Sequence, residues 1–215
     1  MNNTQMSKPI VLIGGGGHAS VITDILKQQC REIIAIISPE NIGIRKIFNG
    51  IAQLYKDNDI DQFDPEQVLL VNCIGVLPGS LTKKKINEQY LAKGYNFETI
   101  IANNAYVSPY AVLGTGVQIL TGAIIHPGVF IDSHSVINSG AVIEHDAHIG
   151  SYNFIAPRAV ICGQCRTEND VFIGANATVI QNITIAARNV ITANSVVVKN
   201  TQPDKKINSY RLITK

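Results

Sequence analysis

Residues 103–198 read, in groups of six, NNAYVS, PYAVLG, TGVQIL, TGAIIH, PGVFID, SHSVIN, SGAVIE, HDAHIG, SYNFIA, PRAVIC, GQCRTE, NDVFIG, ANATVI, QNITIA, ARNVIT and ANSVVV. The fifth place of the hexad holds Val, Leu or Ile in fifteen of these sixteen groups, and Thr167 is the exception. The third place is usually small. Helical stripes recur every 3.6 residues and hairpin strands alternate every two, so neither explains an unbroken period of six. The period is typical of a parallel β-helix.

The repeat predicts how each hexad contributes to such a fold. Each hexad should form a short strand and a corner, so that three make one triangular coil and sixteen make about five coils. We expect the fifth-place aliphatic side chains to point inward and stack on the coil above. The small third-place residues are expected to fit the tight corners. The sequence therefore predicts a quasi-linear β-helix over residues 103–200.

Composition and charge limit the classes of protein to which this chain can belong. Of its 215 residues, 46% are hydrophobic and 16% are charged, which is typical of a globular chain with one or two domains. A net charge of +2 argues against nucleic acid or an anionic membrane as a partner. No apolar run reaches the roughly 18 residues of a membrane helix, and MNNTQMSKP lacks the apolar core of a secretion signal. We therefore expect a cytoplasmic protein.

Residues 10–37 show the pattern of a β-α-β unit with glycines at its first turn. The apolar runs IVLI at 10–13 and IIAII at 33–37 are typical of buried parallel strands, and SVITDILKQQ between them has helical periodicity. The glycines at 14–17 let a ligand approach the backbone, and the helix N-terminus offers free N–H groups to an anion. This arrangement predicts a nucleotide diphosphate as the ligand. His18 either contacts that ligand or caps the turn.

The rest of the N-terminal segment predicts a small Rossmann-like domain over residues 1–102. Strands at 68–73 and 97–101, a helix at 81–93 and a short strand around 47–51 complete only half of a dinucleotide-binding fold. The spacing Gly14-x-Gly16-x-x-Ala19 fits the dinucleotide fingerprint, but Ser38-Pro39 stands where an acidic residue is expected. A small nucleotide-binding domain is therefore favoured over an NAD-binding one.

Three further features of the sequence have simpler interpretations. Gly75 directly follows the third strand, at the carboxyl edge where such sheets bind ligands. The lysines at 83–85 are expected to lie on a solvated helix face. Cys162 and Cys165 form a C-x-x-C without a second pair at ligand spacing, so we expect buried or corner thiols and no metal.

Glu144, His145 and Asp146 form the prominent polar cluster within the hexads. Glu144 ends one hexad and the other two residues open the next, which places all three at a corner with outward-facing side chains. A histidine flanked by carboxylates is an oriented base with raised proton affinity, and it can accept a proton near neutral pH without a metal. The other histidines of the repeat are expected at surface or packing positions: His126, His134 and His148.

These features together resemble a known family. The Gly17-His18 turn, the short α/β domain, the hexads and the Ile-Glu-His-Asp sequence at 143–146 resemble the sialic acid/sugar O- or N-acetyltransferases, which are hexapeptide-repeat acyltransferases. The resemblance spans residues 9 to about 200 and extends in particular to the bacillosamine-pathway and perosamine N-acetyltransferases. It implies a left-handed β-helix, a homotrimer with active sites at subunit interfaces, and a role in surface polysaccharide biosynthesis. The implied reaction transfers acetyl from acetyl-CoA, without a metal, to the amine of a nucleotide-linked 4-amino-4,6-dideoxyhexose.

The resemblance also implies roles for particular residues. His145 would be the general base that takes a proton from the sugar amine, and Asp146 would orient His145 and raise its basicity. The substrate would be contacted by Gly16, Gly17, His18, Ser38, Gly75 and, near the acetyl group, Asn138. The acetyl-CoA arm would lie in the groove between two prisms, against Phe154, Gly163, Ala175 and Ala193.

The chain departs from the family pattern at three places. Many relatives carry His where Phe154 stands, so a hydrogen bond from that side chain to CoA is lost or replaced. Relatives often have an acidic pair at the position of Ser38-Pro39, so recognition of the base or ribose can differ. The usual Gly-x-Pro-Ala-Lys near the C-terminus is missing. A solvated tail is expected at 201–215, with Lys205, Lys206 and Arg211 as alternative contacts for the CoA phosphates.

Two other functions stay open at this point. The same base could act on a hydroxyl, which would make the protein an O-acetyltransferase for a sialic acid or a related sugar. A non-catalytic trimer that only binds nucleotide sugars is a third possibility, although the intact Glu144-His145-Asp146 cluster argues against it. No serine or cysteine stands in a recognisable nucleophile setting, so direct transfer is favoured over an acyl-enzyme. The nucleotide is open among UDP, dTDP, GDP and CMP.

Overall fold

The structure is a computed structural model that describes residues 7–208 of the chain. It divides into two compact units, one made of residues 7–76 and 82–98 and the other of residues 77–81 and 99–208. Among the described residues, no helix is both long enough and apolar enough to span a membrane.

The first unit is a four-stranded parallel sheet with the strand order β3-β2-β1-β4. The central strands are the two apolar runs of the sequence, and every side chain of the first is buried. The first helix begins at Gly17, inside the glycine run and three residues before the predicted start at Ser20, and the second begins at Thr82, close to the predicted 81. The elements are β1 (Ile10–Ile13), α1 (Gly17–Gln28), β2 (Ile33–Ile37), a 3₁₀-helix (Lys46–Phe48), β3 (Ala52–Leu54), a second 3₁₀-helix (Asp57–Gln62), β4 (Leu69–Asn72) and α2 (Thr82–Ala92).

Two predicted strands of this unit are wrong in detail. The strand expected around 47–51 is replaced by the 3₁₀-helix and β3, because Phe48 turns into the core and Gly50 reverses the chain with φ +84°. The strand expected at 97–101 is divided between the two units. Phe97 forms a bridge to Leu70 in the first unit, whereas the Ile100 N–H donates to the carbonyl of Val117 in the second.

The prediction that all three lysines at 83–85 lie on a solvated face is also wrong. Lys83 shares one face of α2 with Asn87 and Tyr90, and this face is buried against the sheet, so that Lys83 is only 8% exposed. Its Nζ has no hydrogen-bond partner. Burial raises the pKa of the neighbouring Cys73 thiol to about 12, so that this thiol stays neutral and offers no counter-charge. Desolvation therefore lowers the pKa of Lys83 from 10.5 to about 8.

The second unit is a left-handed parallel β-helix built from the hexads, as predicted. Its two-residue strands stack into three parallel sheets of five, six and seven strands. The five-stranded sheet contains β7 (Val112–Leu113), β10 (Phe130–Ile131), β13 (His148–Ile149), β16 (Arg166–Thr167) and β19 (Thr184–Ile185). The six-stranded sheet contains β6 (Tyr106–Val107), β9 (Ile124–Ile125), β12 (Val142–Ile143), β15 (Val160–Ile161), β18 (Thr178–Val179) and β21 (Val196–Val197). The seven-stranded sheet contains β5 (Ile100–Ile101), β8 (Gln118–Ile119), β11 (Val136–Ile137), β14 (Phe154–Ile155), β17 (Phe172–Ile173), β20 (Val190–Ile191) and β22 (Lys206–Ile207).

The places of the hexad have distinct environments in the prism. The fifth-place side chains point inward and form its core, as expected. The third-place residues do not form the tight corners, because from Val117 onward they are buried inside the prism with the fifth-place residues. The second place takes the corner instead, with left-handed φ values such as 61° at His134 and 57° at Tyr152. The third place is small because its side chain points into the narrow angle between two sheets.

Thr167, the exception in the fifth place, has a polar partner inside the prism. The side-chain amide of Asn153 donates to the Thr167 hydroxyl at 2.5 Å, and the Asn153 Oδ1 accepts the N–H of Val171 at 2.7 Å. The Ser135 hydroxyl in turn accepts the N–H of Asn153 at 3.0 Å. All three side chains are buried, and each has a hydrogen-bond partner in another side chain or in the backbone of the prism.

The part of the predicted tail that the structure describes continues the β-helix. β22 pairs with β20, and the Arg188 guanidinium donates to both carboxylate oxygens of Asp204 at 2.6 and 2.7 Å. Lys205 and Lys206 are exposed along this last coil. Arg211 lies outside the described residues.

Lys83→Met is expected to stabilise the protein. Below pH 8, Lys83 is charged in both the folded and unfolded states, so the variant should gain the whole desolvation penalty, which is roughly 3 kcal/mol. Between pH 8 and pH 10.5 the folded lysine loses its proton before the unfolded one does, so the wild type gains stability and the advantage shrinks. Chemical denaturation from pH 7 to pH 10.5 measures this difference, with Lys85→Met on the exposed face of α2 as the control. Equal effects of the two variants would contradict the prediction.

Candidate active site

The glycine turn lies where the carboxyl ends of three strands of the first unit meet. The Gly14 N–H donates to the carbonyl of Ile37, the last residue of β2. The Cys73 N–H donates to the carbonyl of Ile13, the last residue of β1. Gly14 has φ +97°, which favours glycine. A Cβ on Gly15 would overlap the side chain of Ile42 and lie 2.9 Å from Ser38 Oγ. These two glycines are therefore required by the packing of the turn itself.

Gly16 and Gly17 face open space. A Cβ on either glycine would meet no atom within 4 Å, and both residues are exposed. Gly16 is the N-cap of α1 without a side-chain cap, and the first turn of the helix contains no acidic residue. His18 is half-buried in this first turn. The backbone here is thus open to an anionic ligand, which the positive end of the helix dipole would attract.

The other two predicted substrate residues of this unit lie at the same edge of the sheet. Gly75 is exposed three residues after β4, and a Cβ there would also meet open space. Ser38 is only 4% exposed, and its hydroxyl donates to the Glu40 carbonyl at 3.2 Å. Gly75 therefore offers backbone to a ligand, whereas the Ser38 side chain packs beneath the glycine turn.

His145 and Asp146 lie on the edge of the prism where the six-stranded sheet turns into the five-stranded sheet, between β12 and β13. His145 Nδ1 and Asp146 Oδ2 are 2.9 Å apart, and the two side chains are 59% and 58% exposed. The corner is fixed by its neighbours, because the Asp146 N–H donates to the Pro127 carbonyl and the His145 carbonyl accepts the Gln164 N–H. When Nδ1 donates to the carboxylate, the lone pair of Nε2 is left to accept a proton.

Gly163 lies against the imidazole ring, one coil further along the same edge. A Cβ on Gly163 would lie 2.6 Å from Nε2 and 2.8 Å from Cε1 of His145. Any side chain at this position would push the ring out of place. Gly163, which was predicted as an acetyl-CoA contact, therefore lies beside the predicted base.

The remaining predicted residues of the prism lie on or beside a different edge, between the seven-stranded and six-stranded sheets. Asn138 follows β11 and accepts the Ser139 N–H at 2.8 Å, and Phe154 stacks on Phe172 with ring centroids 5.2 Å apart. Ala175 and Ala193 occupy successive corners, joined by a hydrogen bond from the Asn194 N–H to the Ala175 carbonyl at 2.9 Å. One chain therefore does not bring these four residues together with His145.

The structure also shows a contact near this corner that the sequence analysis did not predict. His126 Nε2 lies 3.7 Å from Glu144 Oε1, next to the His145 corner. The two residues are three hexads apart, and strand pairs such as Phe130 with His148 show that residues at this spacing stack on successive coils. The spacing was therefore a usable signal. The other two histidines pack as expected, with His134 stacked on Tyr152 and His148 on Phe130.

The thiols near this corner are poorly suited to nucleophilic catalysis. Burial, and then the carboxylate of Glu144, raises the pKa of the Cys162 thiol, which makes it a poor nucleophile. Cys165 is buried and its thiol donates to the Ile180 carbonyl at 2.9 Å. Within residues 7–208, no three His, Cys, Asp or Glu side chains are grouped in a way that could hold a metal ion.

Known proteins resemble this chain in fold and, in part, in sequence. Residues 9–102 match the family model of the PglD N-terminal domain. The chain is similar to a perosamine N-acetyltransferase mutant from Caulobacter crescentus, solved in complex with CoA and GDP-perosamine, with 26% identity, 93% of each chain covered and a TM-score of 0.84. No curated protein matched the chain by sequence.

Two more distant structures share the fold. The acetyltransferase domain of PglB from Neisseria gonorrhoeae, in complex with acetyl coenzyme A, is 23% identical with a TM-score of 0.82, and covers 92% of this chain and 94% of its own. WeeI from Acinetobacter baumannii is 18% identical with a TM-score of 0.79, and 94% of each chain is covered.

The hexad prism and the likeness to an acetyltransferase solved with CoA make this protein a hexapeptide-repeat acyltransferase. The first unit agrees with this class, because residues 9–102 match the model of the PglD N-terminal domain. The chain as a whole is similar to the hexapeptide-repeat sugar acetyltransferases.

The glycines of the turn should differ sharply in their tolerance of a side chain. Gly15→Ala places a methyl group against Ile42 and Ser38, so it should lower the melting temperature by several degrees, as overpacking does. Gly17→Ala adds its methyl group to open space in the first turn of α1, so its melting temperature should match the wild type or exceed it slightly. Thermal unfolding of the two variants measures the difference. A Gly17→Ala protein as unstable as Gly15→Ala would mean that the turn is closed, not open.

Proposed function

We propose that the protein transfers the acetyl group of acetyl-CoA to the amine of a nucleotide-activated amino sugar of the 4-amino-4,6-dideoxyhexose type. The observation that carries this proposal is the 2.9 Å contact between His145 Nδ1 and Asp146 Oδ2 at an exposed corner of the prism. The 26% identity to a protein described as a perosamine N-acetyltransferase, crystallised with CoA and GDP-perosamine, supports the substrate class.

The glycine turn is the proposed site for the nucleotide diphosphate. Gly16 and Gly17 give the phosphates access to backbone N–H groups at the start of α1, and Gly75 gives access at the end of β4. His18 in the same turn of helix is the proposed side-chain contact. The buried Ser38 hydroxyl acts indirectly, since it packs under Gly15 and shapes the turn.

The proposed chemistry is direct attack. The neutral sugar amine adds to the thioester carbonyl carbon, and a C–N bond forms while the carbonyl oxygen becomes an oxyanion. His145 Nε2 takes a proton from the attacking nitrogen, and Asp146 stabilises the imidazolium that results. Collapse of the oxyanion breaks the C–S bond, and the departing CoA thiolate takes the proton from the His145 imidazolium, which restores the neutral base. Backbone N–H groups at the coil corners are the proposed oxyanion donors.

The proposed acetyl-CoA site requires a second subunit. Asn138, Phe154, Ala175 and Ala193 lie on or beside one edge of the prism, whereas His145 and Gly163 lie on another. A homotrimer would place the first edge of one prism against the second edge of its neighbour, so each active site would use residues from two subunits. The Phe154–Phe172 stack then offers the acetyl-CoA arm an apolar wall where a histidine would have offered a hydrogen bond.

Release of CoA thiol from acetyl-CoA, measured against a panel of acceptors, tests the proposed function. The panel contains UDP-, dTDP- and GDP-linked 4-amino-4,6-dideoxyhexoses, with CMP-sialic acid and free sialic acid as hydroxyl acceptors. We expect rapid release with one of the amino sugars, which also identifies the nucleotide. Release with a sialic acid alone would establish O-acetylation instead. No release with any acceptor would favour a trimer that only binds nucleotide sugars.

His145→Ala should lower kcat by about a hundredfold or more, because the amine then loses its proton to water. His148→Ala is the matched control, since it removes an imidazole three residues away that packs on Phe130. It should keep kcat near the wild-type value. Steady-state kinetics on the best acceptor, with sedimentation to check that both variants assemble like the wild type, measure the effect. Near-full activity of His145→Ala would show that another group is the base.

A further inference from the structure

Gly128 lies one coil before Asp146 on the same edge of the prism. It occupies the second place of its hexad, as Asp146 does, and the hydrogen bond from the Asp146 N–H to the Pro127 carbonyl joins the two corners. A Cβ on Gly128 would overlap Asp146 Oδ1 and lie 3.4 Å from both Cγ and the backbone nitrogen of Asp146. The carboxylate of Asp146 therefore occupies the space that a side chain at position 128 would need.

Backbone conformation alone does not explain a glycine at this place. Gly128 has φ +75°, but second places elsewhere take similar left-handed values with full side chains, among them Tyr152 at 57° and Arg158 at 60°. Gly122 shares the same place and a φ of +69°, yet a Cβ there would have its nearest neighbour 4.0 Å away, at the backbone nitrogen of Gly140. Gly128 differs from Gly122 because the carboxylate of Asp146 lies directly against it.

The His145–Asp146 pair is thus held between two glycines on successive coils. Gly128 leaves room for the carboxylate on the coil before, and Gly163 leaves room for the imidazole on the coil after. Both side chains of the pair are more than half exposed, so packing by other side chains does little to hold them. Their orientation therefore depends on the shape of the backbone surface beneath them.

We propose that Gly128 is a positioning residue for catalysis: it seats the Asp146 carboxylate so that this group accepts the Nδ1–H of His145 and leaves Nε2 as the proton acceptor. The inference rests on the proposed role of His145 as the base. A methyl group at position 128 displaces Oδ1, which breaks the 2.9 Å contact between Asp146 Oδ2 and His145 Nδ1. The ring then samples both tautomers and more than one orientation.

Gly128→Ala and Gly122→Ala form a matched pair that tests this role. Both place alanine at a left-handed second position and bear a similar backbone cost, but only Gly128→Ala meets Asp146. The ¹⁵N chemical shifts of the His145 ring should report the Nδ1–H tautomer in the wild type and in Gly122→Ala, and a mixture in Gly128→Ala. Identical shifts in all three proteins would overturn the proposal, and this measurement does not depend on any acceptor.

Kinetics supply the second measurement. Gly128→Ala should lower kcat about tenfold with little change in the KM of either substrate, whereas Gly122→Ala should stay within about twofold of the wild type. In an Asp146→Ala background, Gly128→Ala should cause no further loss, because the group through which it acts is gone. A further loss in that background would show that Gly128 acts otherwise. If His145→Ala itself keeps full activity, the proposed base fails, while the tautomer measurement still decides whether Gly128 seats Asp146.

Discussion

Backbone hydrogen bonds between neighbouring coils hold the prism together, and the rest of the second unit depends on them. They run through strands and corners alike, from Tyr106 with the carbonyl of Ala123 to Thr192 with the carbonyl of Ile207. Because each coil repeats the same path, a position in the hexad fixes both the direction of a side chain and its neighbours above and below. The core, the corners and the histidine site are all consequences of this repetition.

The contact between His145 and Asp146 depends on very few elements of the structure. His145 and Asp146 are adjacent in sequence, and a left-handed corner with φ +60° at Asp146 turns them so that they can share a hydrogen bond. No helix, loop or cavity is needed to bring them together. The scaffold contributes rigid backbone on either side, where Gly163 and Gly128 leave the space that the two side chains fill. The two glycines therefore matter to this site through the side chains that they lack.

The sequence predicts the architecture well because a long periodic signal is averaged over sixteen hexads, whereas single residues have no such averaging. The six-residue period is enough to predict the coils and the inward fifth place, and the glycine run is enough to predict the β1–α1 turn. It does not predict that the third place points inward, because a small residue suits a corner and a narrow core equally well. Lys83 was missed because a run of three lysines looks solvated, although its spacing from Asn87 and Tyr90 places it on the buried face. The division of residues 97–101 depends on pairing with Val117, which no local pattern reveals.

The buried link between Asn153 and Thr167 has a consequence for how the repeat finds its register. Apolar hexads are nearly interchangeable, so a growing β-helix could pair one coil with the wrong neighbour at little cost in hydrophobic burial. Asn153 and Thr167 are not interchangeable with Ala, Val or Ile, because a shift by one coil would separate the Asn153 side-chain amide from the Thr167 hydroxyl and leave both buried without this bond. Each orphaned group costs roughly 1–3 kcal/mol. The few polar residues inside the prism therefore favour the native pairing of the coils over pairings that are shifted by one coil.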